Sequence, residues 1–138
     1  MKNRDISLMI GKVKFNFRVG IIIEYDGKVL IVPETDIISE RQYAAKDKVV
    51  MALIPNGVKK ISKNAFLNCT SLKTVIVPDT VSVIEEYAFL NCKNLEKIKI
   101  PILIESIEKL SFSNCGLEKI EIPTSVKYIR SGAFEMCV

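Results

Sequence analysis

The 138-residue chain contains no histidine and no run of 18 consecutive apolar residues. It therefore lacks the side chain that most often acts as a general base, and it has no segment long enough to span a membrane. A G-x-S-x-G motif and a glycine-rich phosphate loop are also missing. We expect a protein that is not an enzyme, without catalytic residues, cofactor or metal.

Charge of one sign is not concentrated anywhere in the chain. Twenty basic and 16 acidic residues leave a formal net charge of +4, and the lysines are scattered among the acids. Without a basic block interleaved with aromatic residues, we expect no nucleic-acid partner. Residues 1–7 lack the apolar region of a signal peptide, which predicts a cytoplasmic location for the chain as given, or a surface or secreted one if a leader was removed.

What the chain does have is a period of 22 or 23 residues. Phenylalanines 66, 89, 112 and 134 keep this spacing, as do cysteines 69, 92, 115 and 137. Tyr43 occupies the phenylalanine position one period earlier, so an eroded repeat begins at Pro33. Such regularity predicts a stack of about four to five similar layers.

The unit reads L-x-x-[I/V]-x-[I/V]-P-x-x-[V/I]-x-x-I-x-x-x-A-F-x-x-C and is clearest in residues 72–92 and 95–115. A period of about 20 to 29 residues with L-x-x-I-x-I is typical of leucine-rich solenoids. The second half of the unit resembles the BspA-like family of leucine-rich repeats, over roughly residues 33–138. The resemblance implies a right-handed leucine-rich-repeat solenoid, mainly β with short helical turns, and a protein-binding role.

Each position that recurs from repeat to repeat in the unit has a physical reason. The leading leucine and the next two apolar residues predict an inward-facing strand, which the proline ends because it has no N–H to donate. The Ala-Phe pairs predict a short helical turn, and asparagines 68, 91 and 114 predict left-handed residues that close it. The inward-facing residues are Leu72, Val75, Val77, Leu95, Ile98, Ile100, Leu117, Ile120 and Ile122.

The cysteines match neither a zinc motif nor a disulfide framework. Their 22- or 23-residue spacing without histidine is foreign to zinc sites. Residues in phase on a solenoid point the same way, so disulfides between layers are disfavoured and buried free thiols are expected.

Residues 1–32 lie outside the repeat and predict a β-meander that caps the solenoid of residues 33–138. Strands are expected at residues 6–10, 13–25 and 28–32, with turns at Gly11-Lys12 and Asp26-Gly27. A two-residue Asp-Gly turn would place Ile23 opposite Leu30. Residues 15–23 and 26–30 resemble the opening strands of a Nudix hydrolase, but the carboxylates of its G-x5-E-x7-R-E-x2-E-E box are missing, so the alternative is an inactive remnant.

A surface remains as the functional candidate. Outward positions of the strands are apolar at Val50, Met51 and Leu53, and become charged along the stack. We expect a non-enzymatic protein-interaction module whose sheet face comprises Lys73, Ile76, Glu96, Lys97, Lys99, Lys119 and Glu121. The last repeat would expose its inner residues, and Ile120, Ile122 and Phe134 are candidates for self-association, most simply as a homodimer. A purely structural, self-assembling unit is a further alternative.

Overall fold

The computed structural model describes residues 28–137 and, as backbone only, residues 21–24. The strand predicted at residues 6–10, most of the strand predicted at residues 13–25, both predicted turns (Gly11-Lys12 and Asp26-Gly27) and most of the segment that resembles Nudix hydrolases lie outside these residues. The described strands are β1 Ile21–Glu24, β2 Lys28–Ile31, β3 Ile37–Ile38, β4 Val49–Leu53, β5 Lys60–Ile61, β6 Thr74–Ile76, β7 Val83–Ile84, β8 Lys97–Ile98, β9 Ser106–Ile107 and β10 Tyr128–Ile129.

The strands form the walls of a β-solenoid. A five-stranded sheet has the order β1-β2-β4-β6-β8, and a second wall consists of β3-β5-β7 followed by the pair β9-β10. Apart from the antiparallel pair β1-β2, neighbouring strands are parallel. Partners lie one period apart, as Lys60 and Val83 do. Each turn of the chain therefore adds one rung to each wall, as the repeat predicted. Because β2 pairs with β4, residues before Pro33 already join the repeat sheet.

Aromatic rings and thiols form ladders between the two walls. Tyr43 and phenylalanines 66, 89, 112 and 134 stack with successive centroid distances of 5.4, 5.1, 5.4 and 5.6 Å. Each cysteine Sγ donates to a backbone carbonyl of the preceding layer, for example Cys92 to Phe66 O at 3.2 Å. All four cysteines are free, and only Cys137 is half-buried rather than buried. The predicted phenylalanine and cysteine positions are thus the solenoid core.

The Ala-Phe segments are turns, and no helix occurs in residues 28–137. The prediction of short helical turns was wrong because alternate amides bond between layers: Phe66 N donates to Ala88 O at 2.8 Å, whereas Ala65 N donates to Ser62 O within its own turn at 3.1 Å. Two left-handed residues in every loop also prevent a helix. One series comprises Ala45, Met136 and asparagines 68, 91 and 114, the asparagines having φ of 61°, 62° and 54°, as predicted. The other comprises Arg41, Asn64, Tyr87, Leu110 and Gly132.

The β1-β2 hairpin has a different register from the predicted one. Ile23 pairs with Val29 rather than Leu30, and Ile22 pairs with Leu30. Since Glu24 pairs with Lys28, three residues connect the strands where two were expected. Loop length determines hairpin register, so one additional loop residue moves every pair by one.

The strand predicted at residues 117–122 is absent, because the last repeat is one residue shorter. The shortening places Gly116 directly against the preceding layer, where a Cβ would lie 2.9 Å from Lys93 O. Only glycine permits this approach. Leu117 is nevertheless buried, and Ile120 packs against the core. The five-stranded sheet therefore ends at β8, while the last layer still stacks on it.

Candidate protein-binding face

One face of the five-stranded sheet points away from the core. Alternation places Ala52, Val75 and Ile100 among the core residues and their neighbours on the opposite side. All seven residues predicted for the binding face are exposed, and they comprise Lys73, Ile76, Glu96, Lys97, Lys99, Lys119 and Glu121. We refer to these seven residues as the sheet face.

The sheet face is open only from β6 onward. Leu53 and Ile76 are register partners on the outward side, yet their side chains are 4% and 39% exposed. Val29 and Ile31 of β2, which are likewise outside the core cluster, are also buried. The apolar outward residue Leu53 of β4 is therefore covered and cannot be reached by a partner. A partner can reach β6, β8 and residues 117–122.

Charges on the two walls are arranged differently. On the wall of β5 and β7, opposite charges from successive layers are paired, with Lys60 Nζ 2.7 Å from Glu85 Oε1 and Lys63 Nζ 3.8 Å from Glu86 Oε2. The hydrogen bond from Lys60 lowers the pKa of Glu85, with a further contribution from the Lys63 backbone N–H.

On the sheet face, Lys97 and Lys119 are like charges at equivalent positions, whereas Lys99 and Glu121 are opposite charges at equivalent positions. Residues 117–120 repeat the Leu-Glu-Lys-Ile of residues 95–98, so lysine follows lysine and glutamate follows glutamate. Among the described residues, none of the charged side chains of the sheet face forms an ion pair. These charges are consequently available to a partner.

Two of the buried thiols, Cys92 and Cys115, are poorly reactive, whereas the hydrogen bond with Cys92 lowers the pKa of Cys69. Burial raises the pKa of Cys115 to about 12, and the nearby Cys137 adds to the shift. The hydrogen bond with Cys69 and burial together raise the pKa of Cys92. Both thiols are therefore protonated at neutral pH and poor nucleophiles. Within residues 28–137, no three Cys, Asp or Glu side chains are grouped so that they could hold a metal ion.

The last layer exposes some apolar residues more than the layers before it do. Phe134 is half-buried where phenylalanines 66, 89 and 112 are buried, and Ile122 is exposed, whereas Ile120 is half-buried like Ile98 of the preceding layer. Ile129, which was not among the predicted self-association residues, is 57% exposed, whereas Ile107 at the same position one layer earlier is 3% exposed. The period of the isoleucine positions was sufficient to identify it.

Parallel walls, a hydrophobic interior and one strand per turn in each wall define a leucine-rich-repeat solenoid. The chain belongs to the family described as BspA type leucine rich repeat region, which matches residues 28–138 in six copies. Spacing alone predicted about four to five repeats.

Solved structures of bacterial leucine-rich repeat proteins are similar to the chain. The T. pallidum leucine rich repeat protein is 28% identical with a TM-score of 0.74, over 88% of this chain and 65% of that one. A Bacteroides ovatus protein is 26% identical with a TM-score of 0.64, over 91% and 33%. A Bacteroides capillosus protein is 26% identical with a TM-score of 0.56, over 72% and 65%.

The chain thus spans less than two thirds of each of these relatives. No curated protein matches it. Among the described residues, no helix is long and apolar enough to cross a membrane.

Proposed function

We propose that the chain is a non-enzymatic interaction module that binds a protein through the sheet face. The observation that supports this proposal is the contrast between the walls: charges are paired across layers beside β5 and β7 and unpaired on the sheet face. An exposed charge without an ion-pair partner contributes little to stability. The unpaired charges of the sheet face are therefore free to pair with charges on a partner.

Mixed charges also suit the role physically. An interface uses charged groups for orientation and selectivity, because unlike groups on the partner attract and like groups repel. Leucine-rich repeats present such groups on rigid neighbouring strands, which limits the entropy lost on binding. The exposed Ile76 adds apolar area next to Lys99 on this face.

The test is charge reversal with a matched control. Lys97→Glu with Lys99→Glu alters the sheet face, whereas Lys93→Glu with Lys109→Glu alters two exposed lysines outside it. Both double variants change the net charge equally. We expect proteins captured quantitatively from the native cell to be lost by the first variant and retained by the second. Capture unaffected by the first variant would rule out the sheet face.

The absence of enzymatic activity is tested separately. Turnover of nucleoside diphosphate derivatives in the presence of magnesium would contradict it and would favour a Nudix-type enzyme. No turnover is expected, because the Nudix box is missing from the sequence.

We also propose self-association through the last layer. The exposed Ile129 and the half-buried Phe134 present the surface on which, elsewhere in the stack, another layer packs. A two-fold dimer would bury it. We expect light scattering at about 100 μM, far above a micromolar dissociation constant, to give a dimer mass that Ile129→Lys abolishes. Val83→Lys, at an exposed position of an inner layer, is the control. A monomeric mass for the unchanged protein would refute the proposal.

A further inference from the structure

Four turns follow the prolines that end the strands, and one of them is chemically unlike the others. The residue pairs after these prolines are Asn56-Gly57, Asp79-Thr80, Ile102-Leu103 and Thr124-Ser125. Three pairs are polar or glycine. The third consists of two aliphatic residues, of which Ile102 is 56% and Leu103 is 52% exposed.

The polar pairs have a structural role that the aliphatic pair does not fulfil. Thr80 Oγ1 donates to Val58 O at 2.8 Å and accepts from Gly57 N at 3.2 Å, joining two layers. Ser125 Oγ donates in the same way to Ile104 O at 2.8 Å. Leu103 has no hydroxyl, so this link is missing at the intervening layer.

Nothing in the packing offsets that loss. The next residue, Ile104, is buried in the core, but both members of the pair extend into solvent. Residues that violate a local rule without a structural gain are expected at functional sites. Single exposed aliphatic residues are common, but a consecutive exposed pair on an inner layer is typical of an interaction surface.

The surroundings indicate the chemistry of the partner. Lys99 lies on the sheet face just before Pro101, which leads into the pair, and forms no ion pair with the described residues. An apolar anchor beside a free cation is complementary to an apolar side chain beside a carboxylate. The exposed Glu121, which forms no ion pair with the described residues, would oppose an anionic membrane surface.

We propose that Ile102 and Leu103 anchor a protein segment that carries an aliphatic or aromatic side chain next to an aspartate or glutamate, with Lys99 binding the carboxylate. This inference rests on the proposed use of the sheet face and specifies its partner. The pair extends that face around the corner of the solenoid, from the end of the strand into the following turn.

The test copies a neighbouring turn. Ile102→Asp with Leu103→Thr reproduces the residues of Asp79-Thr80, so the fold is expected to persist. Thr124→Asp with Ser125→Thr introduces the same residues in the next turn as a control. Short random peptides displayed on phage are selected on the unchanged protein, and their affinities are measured for each variant.

We expect the selected peptides to combine an apolar residue with an adjacent acidic residue. Their affinity for the first variant should be at least about 10-fold lower than for the unchanged protein. Their affinity for the control variant should equal that for the unchanged protein. Equal binding to the first variant, or selection of peptides without this combination, would overturn the inference. So would co-sedimentation with phosphatidylserine vesicles that depends on the aliphatic pair.

Lys97→Glu with Lys99→Glu separates the two proposals. Loss of peptide binding in that variant, with retention in Ile102→Asp with Leu103→Thr, would reject the anchor but support the sheet face. Retention in both would reject both.

Discussion

Replacing Ser111 with alanine should stabilise the protein. Ser111 is 0% exposed, and its Oγ is a buried polar atom without a hydrogen-bond partner. The equivalent residues of the other layers are Ala65, Ala88 and Ala133, all buried. Leaving a hydroxyl buried and unsatisfied costs about 1 to 3 kcal/mol. Removal of a single oxygen leaves little empty volume, so we expect a gain of about 1 to 2 kcal/mol.

Urea denaturation followed by circular dichroism measures this gain. With a slope of about 1 to 3 kcal/mol per M for a small protein, the midpoint should rise by about 0.3 to 2 M at unchanged slope. An unchanged slope would show that the native and unfolded states expose the same surfaces in both proteins.

Ala88→Ser is the matched control because it introduces the same hydroxyl at the equivalent buried position of the preceding layer. The midpoint of Ala88→Ser should be lower than that of the unchanged protein, whereas the midpoint of Ser111→Ala should be higher. If Ser111→Ala instead lowered the midpoint, the hydroxyl would have a stabilising partner, and the argument from an unsatisfied buried group would be wrong.

Three other predictions concern the core, pH and the thiols. In denaturation experiments, Phe89→Ala should lower the free energy of unfolding by about 3 to 5 kcal/mol. Phe134→Ala should lower it clearly less, since Phe134 is half-buried and stacks on only one described ring. Equal losses would contradict the stacked ladder of rings. The pKa of Glu85 is lowered in the folded state. Its contribution to the free energy of unfolding is therefore fully present above its unfolded pKa of about 4.3 and is lost as the pH falls through its folded pKa. Across a series of acidic pH values, the denaturation midpoint of Glu85→Gln should therefore decline less than that of the unchanged protein. Alkylation of the native protein should modify Cys137 first and Cys115 far more slowly, because Cys115 is buried with a pKa of about 12; equal rates would argue against that burial.

Repetition made the core predictable. A side chain that recurs at each period must meet its own copy in the next layer, so counting residues was enough to identify the phenylalanine and cysteine ladders. The backbone conformation of the loops was harder to predict from the sequence. Arg41, Tyr87 and Leu110 share a left-handed conformation although their side chains have little in common. Helix propensity favoured a helix at Ala65-Phe66, but propensity is a weak preference that hydrogen bonds between layers override.

The sheet face shows a different limit of prediction from the sequence. Alternation along a strand identified its exposed residues, since outward positions follow from period two. Whether a charge is paired depends on side-chain distances between layers, and Lys60 and Glu85 are brought to 2.7 Å only by the stacking of β5 and β7. The unpaired charges of the sheet face and the aliphatic pair at Ile102 lie outside the ladders that stabilise the core. Substitutions there should change binding with little effect on stability, because exposed side chains away from buried networks usually contribute less than about 0.5 kcal/mol. The proposed recognition is therefore expected to be separable from folding in this solenoid.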